Sequence, residues 1–210
     1  MSTLIITAHP DTKSLTHQAA TLLRDALGPE TTTFGHLAQE GFDPRFTLDD
    51  RQLYVGHGSP QADVVAEQDR LDHVTDLVLV FPVYWWSMPA LLKGWFDRVF
   101  IAGWAFDFDA TGRLIPKLGR LTVHVLATAG TAAVSFERHG YTQAFATQLE
   151  IGIFDFCGMR RGETALVHDS ESINLDSMTT TIHAAVSRVA GAVTPSAAHT
   201  PRPPIHGTRR

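Results

Sequence analysis

Residues 76–100 read DLVLVFPVYWWSMPALLKGWFDRVF, and three textures follow one another in that stretch. Asp76-Leu-Val-Leu-Val-Phe81 is a continuous apolar, β-branched run, the pattern of a strand buried on both faces. Pro82 to Ser87 reads as a turn. A helix then begins, with Ser87 as its expected N-cap and Pro89 in its first turn. Its apolar positions Leu91, Leu92, Trp95, Phe96, Val99 and Phe100 form one broad face. A buried strand that runs into a helix is the repeating unit of a parallel sheet. The anomaly lies in the turn: Tyr84, Trp85 and Trp86 stand where connecting segments are ordinarily polar.

The same alternation extends in both directions. Leu4 to Ala8 is a first strand, and 14–27 a helix with Leu15, Ala19, Leu22, Leu23 and Ala26 on one side. Thr31 to Phe34 is a short second strand. Gly35, Gly41, Pro44, Gly56, Gly58 and Pro60 punctuate residues 35–61, which read mostly as loop. Ala62 to Val74 is helical. Downstream come a strand at Leu121–Ala127, a long helix near Tyr141–Cys157, a fifth strand at Ala165–His168 and a last helix at Ile173–Ala190. The expectation is one α/β domain over residues 1–193, with a five-stranded parallel sheet in the order 2-1-3-4-5 and helices on both faces. The tail 194–210, TPSAAHTPRPPIHGTRR, is rich in proline and polar residues and is expected to be disordered.

Composition narrows the functional classes. The chain has 210 residues, 44% hydrophobic and 19% charged, an ordinary balance for one globular domain. A net charge of −5 without a basic block argues against a nucleic-acid partner. Cys157 is the single cysteine, which excludes an internal disulfide and fits a reducing compartment. None of the histidines forms an i, i+4 helical pair, so no metal site is expected. No basic leader precedes the short apolar run at the N-terminus. The longest apolar run, Val78–Leu92, is broken by Pro82, Ser87 and Pro89 and is shorter than the roughly 20 residues of a membrane span. No membrane segment is therefore expected, and a cytoplasmic location is.

In an open α/β sheet, ligands gather outside the carboxyl ends of the strands where the strand order reverses. Three unusual segments fall there. His9-Pro-Asp-Thr-Lys-Ser14 follows strand 1 and opens a helix, whose free N–H groups favour a phosphate, although a plain N-cap explains it too. Pro82–Ser87 follows strand 3. Trp95 and Phe96 belong to the core face of the next helix, while Tyr84, Trp85 and Trp86 either fill core or stack on a flat heterocycle. Thr128-Ala-Gly-Thr131 follows strand 4 with small residues that let a ring approach the backbone. Neither G-x-G-x-x-G after the strand nor G-x-x-x-x-G-K-[ST] is present. A phosphate site, a flat-ring site and close backbone together describe a flavin mononucleotide.

With those residues in view, the chain resembles the flavodoxin-like NAD(P)H:quinone oxidoreductases. The resemblance rests on FPVYWWSMPALLKGWFDRVF at 81–100, with support from AHPDTKSLT, the Phe42-Asp-Pro44 turn, Glu67-Gln68, GWAFDFD at 103–109 and FCGMR at 156–160. It implies a flavodoxin-like three-layer sandwich and a flavoenzyme. His9, Lys13, Ser14, Leu15 and Thr16 are implied around the flavin phosphate. Pro82, Val83, Tyr84, Trp85 and Trp86 are implied against the isoalloxazine, and Thr128, Ala129, Gly130 and Thr131 along its other edge. The family's Thr-Gly-Gly stands here as Thr128-Ala129-Gly130, and its proton-handling tyrosine is replaced by Ser135 or displaced. His139 matches the histidine partner and Tyr141 lies close by, so these two are the catalytic candidates. The resemblance also implies a homodimer with its active site at the interface, Phe106 and Phe108 gating the partner's flavin. Hydride would pass from NAD(P)H through bound FMN, with FAD as the alternative, to a quinone-like acceptor. Two other readings are a single-electron carrier, which the dispersed acidic residues do not favour, and a regulatory flavoprotein subunit of a membrane transporter.

Overall fold

The computed structural model describes residues 2–171 and 175–193. The tail expected to be disordered lies outside the described residues, as does the residue at which the last helix was expected to start. Strands β1 (Thr3–Thr7), β2 (Thr32–His36), β3 (Asp76–Pro82), β6 (Thr122–Thr128) and β7 (Arg160–Val167) form an all-parallel sheet in the order β2-β1-β3-β6-β7. This is the expected 2-1-3-4-5 order once a short antiparallel hairpin is set aside. That hairpin, β4 (Phe106–Phe108) with β5 (Leu114–Pro116), stands apart from the sheet.

Every residue of β1 and β3 is buried, because both faces of the sheet are covered. Successive side chains divide between two cores. Leu4, Ile6, Leu77, Leu79 and Phe81 face the layer of α3 (Ala62–Asp72) and α4 (Ala90–Val99). Ile5, Val78 and Val80 face α1 (Leu15–Leu27) and α7 (Leu175–Val193) on the other side. Trp95 and Phe96 are core residues as expected, and so is Cys157, whose thiol burial pushes up to about 11. It stays protonated at neutral pH.

Several local expectations are corrected. The helix after β3 starts at Ala90, with Pro89 in the N-cap position and no side-chain cap; the Ser87 hydroxyl instead donates to Gln148 Oε1 at 2.7 Å. The stretch 35–61 contains a helix, α2 (Leu48–Tyr54), closed by a capping box between Thr47 and Asp50. The long helix near Tyr141–Cys157 is α6 (Tyr141–Ala146) continuing into a π-helix at Thr147–Asp155, preceded by a short α5 (Ala133–Arg138). In the π segment the residue five positions on lies one turn above. That wider turn keeps both Leu149 and Phe154 against the sheet. β7 begins five residues earlier than Ala165, at Arg160.

Much of the 81–100 block serves α4. Gly94 gives α4 a bare surface on which the Phe42–Pro44 turn sits: a Cβ there would lie 2.1 Å from the Pro44 carbonyl oxygen. Arg98, almost fully buried, donates to Asp50 at 3.1 Å, Asp63 at 2.6 Å and the Asp43 carbonyl at 2.8 Å. Glu67 accepts from the Trp95 indole N–H at 2.8 Å, and Gln68 donates to the Val99 carbonyl.

Candidate flavin site

The parallel register brings the three loops together. β1 lies between β2 and β3, so the strand order reverses there, and Thr7 is level with Val80. Pro82 is level with Thr128, and the Val83 N–H donates to the Thr128 carbonyl at 2.7 Å. The segments 8–14, 83–89 and 129–132 therefore leave the carboxyl edge on adjacent strands.

The aromatic turn is a two-residue hairpin. Tyr84 and Ser87 exchange both backbone hydrogen bonds, at 3.0 and 3.1 Å. Between them Trp85 (φ +48°) and Trp86 (φ +65°) both take the left-handed backbone of a type I′ turn. Asn-Gly is the usual choice at these positions, and the left-handed region costs an ordinary residue about 1–2 kcal/mol. Trp86 offsets that cost: its indole stacks on Tyr141 with centroids 3.9 Å apart at 8°, and meets Phe136 edge-on. Trp85 makes no such contact among the described residues and remains 92% exposed. A cavity of about 110 Å³ lies beside it, lined by Val83, Trp85, Trp86, Ala129, Gly130, Thr131 and Phe136.

His139 and Tyr141 are not among the residues that line this cavity and stand behind its Trp86 wall. Their rings are 5.5 Å apart, and Tyr141 touches Trp86. Two participants escaped the sequence reading. Phe136 is buried between Trp86, Tyr141 and His168, and His168 Nδ1 lies 3.1 Å from the Thr131 carbonyl. An isolated phenylalanine in a short helix carries no signal of this role.

The β1–α1 loop is built to present N–H groups. Ser14 is the N-cap of α1 and accepts from the His17 N–H. Leu15 and Thr16 begin the helix, so their N–H groups have no carbonyl one turn earlier. Asp11 holds the loop by accepting from the Lys13 N–H at 2.8 Å, and His9 Nδ1 accepts from the Asp11 N–H at 3.0 Å. Lys13 is exposed at the loop's tip. The donor set suits a phosphate at the loop, and the exposed indole facing small residues suits a flat ring. The residues present fit a flavin.

Phe106 and Phe108 line a different opening, a depression of about 890 Å³ on the α4 side. Phe106 meets Phe108 edge-on at 5.8 Å and Phe156 at 5.0 Å. No residue is shared between this depression and the cavity at Trp85. Among the described residues no cluster of His, Cys, Asp and Glu has the makings of a metal site, and no helix is long and apolar enough to cross a membrane.

A family model described as Flavodoxin-like fold matches residues 1–191. The chain belongs to that family. Among its flavodoxin-like relatives, rat NAD(P)H dehydrogenase [quinone] 1 is 33% identical over 118 residues, which are 55% of this chain but only 43% of that protein. Human ribosyldihydronicotinamide dehydrogenase [quinone] is 30% identical over 182 residues, covering 75% of this chain and 77% of its own. The crystal structure of an FMN-dependent NADH-azoreductase from Bacillus anthracis, in complex with FMN, superposes with a TM-score of 0.69. That comparison covers 93% of this chain and all of the azoreductase; at 18% identity it speaks for the shared flavodoxin-like fold alone.

Proposed function

We propose that the protein is a flavin-dependent oxidoreductase that passes a hydride from NAD(P)H to quinones or similar electrophiles, one substrate leaving before the next binds. The observation that carries this reading is Trp85, held in a left-handed turn and almost wholly exposed beside a cavity walled by Ala129, Gly130 and Thr131. Strain retained without a packing reward is characteristic of functional positions. The names of the rat and human relatives point to the same chemistry.

Bound flavin supplies the two-electron chemistry, taking a hydride from one substrate and giving it to the next. The chain's own residues bind and orient it. Leu15 and Thr16 N–H groups, the Ser14 hydroxyl, Lys13 and His9 hold the phosphate. Pro82, Val83, Tyr84, Trp85 and Trp86 carry one side of the ring, with Trp85 as the stacking face and Trp86 as its buttress on Tyr141. Thr128, Ala129, Gly130 and Thr131 line the other edge. His139, its ring 5.5 Å from that of Tyr141, would offset negative charge near the ring and hand a proton to the acceptor's oxygen. FMN is the cofactor assigned, since the residues provide for one phosphate at the β1–α1 loop. A second copy supplies Phe106 and Phe108 over the exposed ring face, making the active site an interface of a homodimer. The protein acts in the cytoplasm.

Steady-state kinetics test this directly. FMN-loaded protein with NADPH and a benzoquinone both varied should give parallel double-reciprocal lines, the pattern of alternating substrates at one site. NADPH oxidation that no quinone accelerates would contradict the assignment.

A further inference from the structure

Gln39, in the loop after β2, fixes the tautomer of a buried histidine. Its side-chain N–H groups donate to the carbonyls of His9 and Pro10, each at 3.3 Å, which turns its Oε1 toward His17 Nε2 at 3.2 Å. An amide oxygen only accepts, so the proton of the neutral ring sits on Nε2. His17 Nδ1 is then bare and accepts from the Ser14 hydroxyl at 3.1 Å. Ser14 Oγ also accepts from the His17 backbone N–H at 3.4 Å. A serine hydroxyl has one proton, and here it is committed to His17.

In that state Ser14 offers a phosphate only lone pairs, the wrong polarity for an anion. The conflict is resolved if Nδ1 gains a proton. Nδ1–H then donates to Ser14 Oγ, and the hydroxyl proton is free to turn to a phosphate oxygen. We propose that binding of the phosphate-bearing flavin takes up one proton at His17, converting Ser14 from an acceptor-facing group into a phosphate donor. This rests on the phosphate assignment made under the proposed function. Affinity for FMN should therefore weaken as pH rises.

His36 on β2 lies 5.1 Å from His17 between ring centroids, with its Nδ1 2.7 Å from Thr7 Oγ1, and His9 lies 6.4 Å away. Burial holds His36 below the ordinary imidazole value, with a further lowering from His17 and a smaller one from Arg70, against a raising effect from Glu40. Thr7 Oγ1 on β1 approaches His17 Nε2 at 3.5 Å and is uncharged. Lys13 and Asp11 are the charged side chains of the adjoining β1–α1 loop, and both are exposed. Glu40 is ion-paired to Arg70 and accepts from the His36 backbone N–H. The phosphate's own negative charges supply the driving force.

Calorimetric titration of flavin-free protein with FMN at about pH 7.5, where a phosphomonoester is already mostly dianionic, reads the proton directly. In two buffers of different ionisation heat, wild-type protein should show uptake of a substantial fraction of one proton per FMN. His17→Asn should bind about tenfold more weakly, without uptake. His9→Asn should retain uptake, and riboflavin, which lacks the phosphate, should show none. Should His17→Asn fail to fold, Ser14→Ala replaces it, and FMN should bind this variant without proton uptake. Tight FMN binding by wild type with no uptake, or uptake that survives His17→Asn or Ser14→Ala, overturns the proposal alone. Failure of FMN to bind wild type at all overturns the flavin assignment, and this proposal with it.

Discussion

Trp85 combines two unfavourable features in one side chain: a backbone φ of +48° and 92% exposure of an indole. Asparagine tolerates the left-handed region far better and is a preferred residue of type I′ turns. Trp85→Asn should therefore raise the unfolding free energy of the flavin-free protein by about 1 kcal/mol, since few contacts are lost with an exposed ring. The same change should weaken FMN binding about ten- to hundredfold, the worth of one aromatic stacking platform. Thermal melts and flavin fluorescence titration measure the two effects. A variant that loses stability while keeping its FMN affinity would contradict the role of Trp85 as the stacking face. The sequence marks YWW as out of place in a turn, but it does not say which ring faces outward. That choice is made by Tyr141, distant in the chain, which stacks on Trp86 and leaves Trp85 without a ring partner among the described residues. Phe136 and His168 were illegible for the same reason: their roles come from contacts between elements.

Helix α4 is anchored by charge as well as by its apolar face. Arg98 and Asp50 are both buried, whereas the Asp63 side chain is 42% exposed. Removing the buried partner leaves a desolvated guanidinium, so Asp50→Ala should cost about 3 kcal/mol or more, and Asp63→Ala about 1 kcal/mol or less. Urea denaturation at neutral pH distinguishes them; equal losses would contradict the account. Burial pushes the Asp50 carboxyl upward, but hydrogen bonds from Thr47 and Arg98 outweigh it and hold the group below 3.8. A depressed folded-state value means that this stabilisation is present above about pH 3.9, the unfolded value, and is lost as pH falls through the lower folded value. Acid sensitivity in that window should be blunter in Asp50→Ala. The strands of the sheet were legible because burial on both faces writes an uninterrupted apolar run, as in Leu77–Phe81. α2 was not legible: seven residues between glycines and prolines look like loop, and its capping box uses the shorter aspartate. The π segment hid because its Leu149 and Phe154 spacing fits neither helical nor strand periods. The three-residue strands at Phe106 and Leu114 are too short to show alternation.

At the scale of the whole molecule, the described residues frame two separate openings. The cavity at Trp85 is the proposed flavin site, while the larger depression is walled by Phe46, Tyr54, Phe100, Phe106, Phe108 and Phe156. A monomer seldom leaves so aromatic a surface in water, and in the proposed homodimer a second copy would cover it and bring Phe106 and Phe108 to the flavin site. Phe156→Glu places a charge in that surface at a position already 38% exposed, so the fold should persist. Sedimentation should show wild-type dimers and Phe156→Glu monomers, with quinone turnover reduced in the monomer; a wild-type monomer of full activity would refute the shared site. The central claim, that this chain holds a flavin and works it with two electrons at a time, is tested most directly by anaerobic titration of FMN-loaded protein with NADPH. The account predicts that the visible flavin absorbance bleaches fully with one equivalent of NADPH and returns on addition of a quinone. A bound flavin whose spectrum NADPH leaves unchanged would contradict it.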